Sequence, residues 1–278
     1  MPSKLTNQRL GGAGTPSSRF ALRRRVSRGE LVEVWLARDR TRGCDVALKV
    51  GWDARAAESI AAEALHASLA LSPRLPELVG LGWLVIEGGE ARQSEPPSSV
   101  PARPTSPEPD AAPLLPRPFV AVRWIAGTPL DQLCGTLEQA PDQVLGVARD
   151  AAEALADLHD VGLAHGDVKP QNLIRGDDGR VALIDLGLSG PAYRTAVPGG
   201  TPRYLARGDA ALGDGRARDL VALGAVLAEL SSTDVCRGDD PIRAARTATL
   251  PSAVATVSQP LLTPAPGARP SARWVRST

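Results

Sequence analysis

The stretch LAHGDVKPQNLIRGDDGRVALIDLG, residues 163–187, decides how the rest of the chain is read. It carries a carboxylate at Asp167, an ammonium at Lys169, an amide at Asn172 and a second carboxylate at Asp185, with a turn-prone GDDG in between. These groups suit a site for metal and phosphate. Mg²⁺ takes hard oxygen ligands and draws only one or two from protein when it also holds substrate phosphates, and Asn172 and Asp185 are ligands of that kind. Asp167 is spaced to orient an attacking hydroxyl and accept its proton, and Lys169 to screen a transferred phosphoryl group. The apolar run 181–184 reads as a buried strand that delivers Asp185 to its end, with Gly187 freeing the backbone just after it.

Composition narrows the surroundings. At 278 residues the chain is long enough for two lobes with cores of their own. A net charge of +1 gives no global field to suggest nucleic acid or an anionic membrane as partner. Cys44, Cys134 and Cys236 are scattered and lack companions at ligand spacing, which reads as a reducing compartment without disulfides or zinc. With no signal-like h-region and no apolar run long enough to span a bilayer, the expectation is a soluble cytoplasmic protein. The chain also avoids Lys and Asn. Its only lysines are Lys4, Lys49 and Lys169 and its only asparagines Asn7 and Asn172, so a position that keeps one is expected to need a compact ammonium or a neutral amide.

Along the chain, residues 1–18 read as a flexible arm. Residues 19–50 show three apolar runs broken by polar turns, read as antiparallel strands. Asp53 caps a predicted helix that places Ile60, Ala64, Ala67 and Leu71 on one face. Residues 78–86 and 118–125 read as two further strands. Between them, 88–117 is rich in Pro, Ser and Glu and reads as a disordered insertion, with Pro101-Ala102-Arg103-Pro104 as a possible ligand for a partner domain. Helices are expected over 141–161 and about 217–230, then short Pro-punctuated helical pieces. The boundaries drawn are an arm to 18, a strand-rich part over 19–125 and a helix-rich part over 126–278. The class is α+β.

The segment 163–187 resembles the catalytic and metal loops of protein kinases, H-R-D-x-x-x-x-N and D-F-G, here His165-Gly166-Asp167 with Asn172 and Asp185-Leu186-Gly187. Val46-Ala47-Leu48-Lys49 resembles the V-A-I-K strand, with Val34 at the family's spacing before it. Gly29 is the one glycine kept of the Gly-rich loop, whose other slots hold Ser27 and Val32. Resemblance extends through Gly200-Thr201-Pro202-Arg203-Tyr204-Leu205-Ala206, where the Thr would bond the catalytic Asp and Lys, through Asp219, whose counterpart braces the catalytic loop, and to Arg269-Pro270-Ser271-Ala272. The family resembled is the bacterial, eukaryotic-like serine/threonine protein kinases. It implies a two-lobed fold, a small antiparallel sheet with one main helix above a larger helical lobe.

The resemblance also implies roles. Lys49 would contact the nucleotide phosphates and pair with Glu63, chosen over Glu58, while Gly29, Val34 and Ala47 would line the nucleotide. Asn172 and Asp185 would hold Mg²⁺, and Asp167 and Lys169 would carry the transfer from ATP to a protein hydroxyl. His165 would support the loop, and His66 and His159 read as surface or packing residues. Four departures stand out. Gly166 replaces an arginine that reads a phosphorylated loop, Gly208 replaces a Glu that pairs with Arg269 unless Asp209 substitutes, Arg123 replaces an acidic hinge residue, and the Gly-rich loop is depleted. Two alternatives stay open: a small-molecule phosphotransferase of the aminoglycoside or choline kinase kind, and a scaffold that binds nucleotide without turnover.

Overall fold

The computed structural model describes residues 18–97, 115–193, 201–204 and 214–278. The expected arm up to residue 17 and the central part of the insertion, 98–114, lie outside the described residues, as do Gly208 and Asp209.

The N-terminal part is built from β1 (Phe20–Arg28), β2 (Val32–Asp39), β3 (Cys44–Gly51), α1 (Ala54–Leu69), β4 (Leu78–Glu87), β5 (Glu90–Ser94) and β6 (Arg117–Arg123). The strands are antiparallel in the order β1-β2-β3-β6-β4-β5, and the sheet closes on itself where Phe20 and Ala21 pair with Ala91 and Glu90. Closure corrects the sequence reading of 88–117 as wholly disordered, because Glu90–Ser94 is strand β5 and Arg117 already belongs to β6. The run EARQS has almost no apolar content, so its strand character comes from pairing with β4 and β1 rather than from its own pattern.

Side-chain alternation sorts the sheet into two faces. Phe20, Ala37, Val46, Leu48, Val50, Leu84, Phe119 and Ala121 fill the interior, where Phe20 and Phe119 meet edge to face at 5.4 Å. Val120 and Val122 on the other face pack against Ile60 and Ala64 of α1. The Asp53 side chain accepts from the Ala56 N–H at 2.9 Å and starts that helix. Gly51 lets α1 approach, since a Cβ there would lie 2.6 Å from that of Ala56. Leu71, expected on the buried face, is 85% exposed, because the helix stops at Leu69 and its period no longer applies.

The C-terminal part comprises β7 (Thr128–Pro129), α2 (Pro141–Asp160), β8 (Leu163–Ala164), β9 (Leu173–Arg175), β10 (Val181–Leu183), β11 (Gly190–Pro191), α3 (Gly215–Ser231), α4 (Thr233–Arg237), α5 (Pro241–Thr247), α6 (Ser252–Leu261) and α7 (Ala272–Ser277). Strands β10, β9 and β7 form a small sheet, and β11 pairs with β8. Helix α3 is apolar nearly all round and correspondingly buried, the central element against which α2, α5 and α6 pack. A strand-rich part and a helix-rich part thus make a two-lobed α+β architecture.

Candidate active site

Lys49 is the hinge of the first cluster. In the β2/β3 register Val34 stands opposite Lys49, and Ala47 stands opposite Leu36. Paired residues share a face, so Val34, Ala47 and Lys49 lie together on the side of the sheet away from its interior. The Lys49 ammonium donates to Glu63 Oε1 at 2.5 Å and to Asp185 Oδ1 at 2.6 Å. Glu58 is exposed and takes no part in this cluster. Burial pushes Lys49 down, but the Glu63 and Asp185 carboxylates outweigh it and hold the ammonium above its ordinary value. Desolvation pushes Asp185 up, yet Lys49 wins and holds this carboxyl down at about 2. Gly187 leaves room beside the triad, since a Cβ there would lie 3.1 Å from Asp185 Oδ1 and 3.6 Å from Glu63 Oε2.

The backbone at Asp185 is in the left-handed region, φ 72°, where among the described residues no other non-glycine residue is found. Such a conformation costs about 1–3 kcal/mol and persists only where the surroundings impose it. The salt bridge to Lys49 and the bond from the Gly187 N–H to Asp185 Oδ1 at 3.3 Å are what hold it.

The second cluster surrounds Asp167. Its Oδ2 accepts from Lys169 Nζ at 2.6 Å and Asn172 Nδ2 at 3.2 Å. Its Oδ1 accepts from the Thr201 N–H at 2.9 Å and the Thr201 hydroxyl at 2.8 Å. Lys169 also donates to Thr201 Oγ1 at 3.0 Å, so Thr201 bridges the ammonium and the carboxylate. Of the GTPRYLA stretch, residues 201–204 are described; Gly200, Leu205 and Ala206 lie outside the described residues.

The loop that carries these groups is held from below by Asp219 of α3. Its carboxylate accepts from the His165 N–H at 2.8 Å, the Gly166 N–H at 2.8 Å and His159 Nε2 at 2.9 Å. Burial pushes this carboxyl up, but the bond from His159 and the neighbouring imidazoles outweigh it and hold it below the usual range. His165 is fully buried, with Nε2 against the Ile184 carbonyl at 3.1 Å and Nδ1 accepting from the Asp167 N–H at 3.3 Å. Gly166 has φ +83°, and a Cβ there would lie 2.6 Å from the Leu188 carbonyl oxygen.

Three participants were not legible beforehand. His159, read as a surface or packing residue, is the partner of Asp219. His66, read the same way, places Nδ1 2.7 Å from the Ser189 hydroxyl, which itself donates to the Leu186 carbonyl. Glu229, buried on α3, accepts from Arg203 at 2.7 Å and the Tyr204 hydroxyl at 2.8 Å and so anchors the segment after Thr201. Burial raises its carboxyl to about 6 against the lowering by Tyr204 and Arg203. Nothing in the local spacing of these residues marks them, because each partner is more than 20 residues away. Arg269 is buried and donates to the Ala217 and Thr263 carbonyls, at 2.8 and 2.9 Å. Arg123 pairs with Glu77 at 2.7 Å.

The donor set fits a magnesium ion bound with nucleotide. Both amide hydrogens of Asn172 are committed to Asp167, to its carbonyl at 2.9 Å and to Oδ2, so what Asn172 offers a ligand is a carbonyl oxygen. Both contacts to Asp185 fall on Oδ1, which leaves Oδ2 of a half-exposed, ionised carboxylate to meet a cation. Among the described residues no group of three or more His, Cys, Asp or Glu could hold a metal by itself.

No family model matches the chain. Among individual proteins, it is 33% identical over 221 residues to the DNA damage-responsive serine/threonine-protein kinase RqkA of Deinococcus radiodurans, a match that covers 76% of this chain and 29% of that protein. Against the serine/threonine-protein kinase PknB of Mycobacterium leprae the identity is 31% over 244 residues, 82% of this chain and 35% of the relative. Against PknL of Mycobacterium tuberculosis it is 34% over 122 residues, 41% of this chain and 30% of the relative. The chain therefore spans about a third of the length of the curated relatives it matches. With a closed antiparallel sheet and one main helix set above a helical lobe, and this similarity to relatives of one kind, the chain belongs to the bacterial serine/threonine protein kinase family.

Proposed function

We propose that this chain transfers the γ-phosphoryl group of MgATP to a Ser or Thr hydroxyl of a protein. The observation that carries this reading is the Lys49–Glu63 ion pair with the Asp185 carboxylate beside it, since phosphoryl transfer of this type needs that pair in place and an Asp at hand for the metal, and a degraded scaffold has no need to keep them. Lys49 binds and orients the nucleotide phosphates, with Val34 and Ala47 on the same face of the sheet and Gly29 in the turn of the hairpin above them. Asn172 and Asp185 would hold Mg²⁺, which when bound neutralises charge on the phosphate oxygens. Asp167 orients the attacking hydroxyl and takes its proton as the new O–P bond forms and the bond from γ-phosphorus to the β,γ-bridging oxygen breaks. Lys169 offsets charge on the transferring group, and Thr201 fixes the two side chains relative to each other. The protein surface does little covalent chemistry, so rate comes from position and electrostatics.

Thr201 favours a protein acceptor over a small molecule, because it ties the segment beside the acceptor site to the catalytic carboxylate. A cytoplasmic setting, with its ATP and with the three cysteines free, fits this reading, as does a partner for the Pro-rich stretch. Among the described residues no helix is long and apolar enough to cross a membrane. The test is incubation with labelled ATP, Mg²⁺ and a generic protein substrate. Label should reach protein with the wild-type chain and be lost in Asp167→Ala and Lys49→Met. Undiminished transfer in both variants, or labelling of a sugar or amino alcohol in preference to protein, would overturn it.

A further inference from the structure

The hairpin between β1 and β2 that would cover the phosphates keeps one glycine, yet backbone hydrogen bonds close its turn and join it to the residue after β3. Gly29 N–H donates to the Val32 carbonyl at 2.8 Å to close the turn, and the Leu31 carbonyl accepts from the Trp52 N–H at 3.1 Å. Trp52 lies just after β3, three residues beyond Lys49. Its indole carries two guanidinium groups, Arg28 from the hairpin with Cζ 5.1 Å from the ring centroid and Arg117 of β6 at 3.9 Å.

Arg117 is itself fixed, donating to Glu33 Oε1 at 2.7 Å and the Gly51 carbonyl at 3.0 Å. Glu33, only 3% exposed, also stands 3.9 Å from Arg25. Two cations on one ring repel each other, and the arrangement persists because the indole face attracts both and the buried Glu33 carboxylate offsets their charge. The result ties the end of β1 and the start of β2 to the end of β3 and to β6.

Resting on the kinase reading above, we propose that Trp52, stacked by Arg28 and Arg117, is the positioning residue of the phosphate-covering hairpin in this chain. A loop with several glycines gains order when nucleotide arrives; this one is ordered beforehand by the stack, so nucleotide binding costs less conformational entropy. Trp52 and Arg28 touch no reacting atom. Their effect is on affinity for nucleotide rather than on the chemical step.

The test uses the full chain with Arg28→Gln, Trp52→Leu and the conservative Arg28→Lys. Amide hydrogen exchange over residues 27–34 is measured without nucleotide, and the dissociation constant for MgADP and the KM and kcat for MgATP are measured beside it. A guanidinium–indole contact shifts an equilibrium by about twofold to fivefold at an exposed site such as Arg28, and by up to about thirtyfold where it is desolvated. Exchange over 27–34 should accelerate within that range in Arg28→Gln and Trp52→Leu while α2 is unaffected. MgADP affinity should fall and KM rise severalfold with kcat nearly unchanged, and Arg28→Lys should recover part of the loss. Unchanged exchange overturns the proposal, as does faster exchange with unaltered MgADP affinity. If Trp52→Leu fails to fold, Arg28→Gln alone decides. Should the wild type transfer no phosphate, the kinase reading falls, while exchange and MgADP binding still decide the role of the stack.

Discussion

Gly166 presses its bare Cα against the backbone of Leu188, whose carbonyl oxygen would lie 2.6 Å from any Cβ placed there. The glycine also sits at φ +83° while its N–H donates to Asp219. The slot that holds an arginine in many relatives is thus shaped here to refuse a side chain. Gly166→Arg should not install control by a loop phosphate. Both Gly166→Ala and Gly166→Arg should lower stability by about 1–3 kcal/mol in urea denaturation and sharply reduce phosphotransfer. An active, phosphate-dependent Gly166→Arg protein would contradict this.

Lys49 neutralises two carboxylates, one of them buried. Lys49→Met leaves Glu63 with no cation, and removing one partner of a buried pair costs about 3–5 kcal/mol. The double variant Lys49→Met/Glu63→Gln should recover a substantial part of that stability but none of the phosphotransfer. Urea midpoints of the four proteins in the cycle give the coupling, and simple additivity would refute it.

Thr201 touches Asp167 and Lys169 through one hydroxyl. Thr201→Ser keeps that group and should stay close to wild type. Thr201→Val removes it and should lower kcat by about 10- to 100-fold with the KM for MgATP little altered, since small misplacement of reacting groups is that expensive. Loss of folding would also lower apparent kcat at unchanged KM, so the kinetics are read beside the urea midpoint and the stoichiometry of MgADP binding, both of which should stay at the wild-type value.

Burial holds the His66 imidazole below its ordinary value. A base lowered in the folded state is protonated first in the unfolded chain, so unfolding takes up a proton as pH falls below about 6.5. The stability concerned is present above that pH and is lost below it. His66→Asn, which can still approach the Ser189 hydroxyl, should lose less stability than wild type between pH 7.5 and pH 5.5. The difference between the two proteins isolates His66 from Glu229, which works in the opposite direction: its raised carboxyl costs stability as pH rises through about 6. Equal losses in both proteins would show that His66 does not titrate as described.

Residues close in sequence declared themselves by local chemistry, and residues joined only by the fold did so only where a family motif marked them, as at Thr201 and Asp219. The segment 163–187 was readable because its carboxylates, amide and ammonium lie within one loop and one short strand, where chain geometry alone fixes their relation. Scarcity of Lys and Asn marked Lys49, Lys169 and Asn172, and the apolar period located β1 to β4, α1 and α2.

What the sequence by itself determined is therefore the two-part α+β architecture and the kinds of group the site holds. Tertiary structure alone decided that Lys49 also reaches Asp185, that His159 supports Asp219, that EARQS closes the sheet, and that Trp52 gathers Arg28 and Arg117. The physical reason is the same in each case. A hydrogen bond, an ion pair or a stacked ring depends on distance in space, and local pattern reports distance only across a turn of helix or a step of strand. Loop 163–187 fits that range, which is why it could be read first. Its brace from Asp219, 53 residues beyond Gly166, lies outside that range and was legible only through the resemblance of the Asp219 segment to the family's helix.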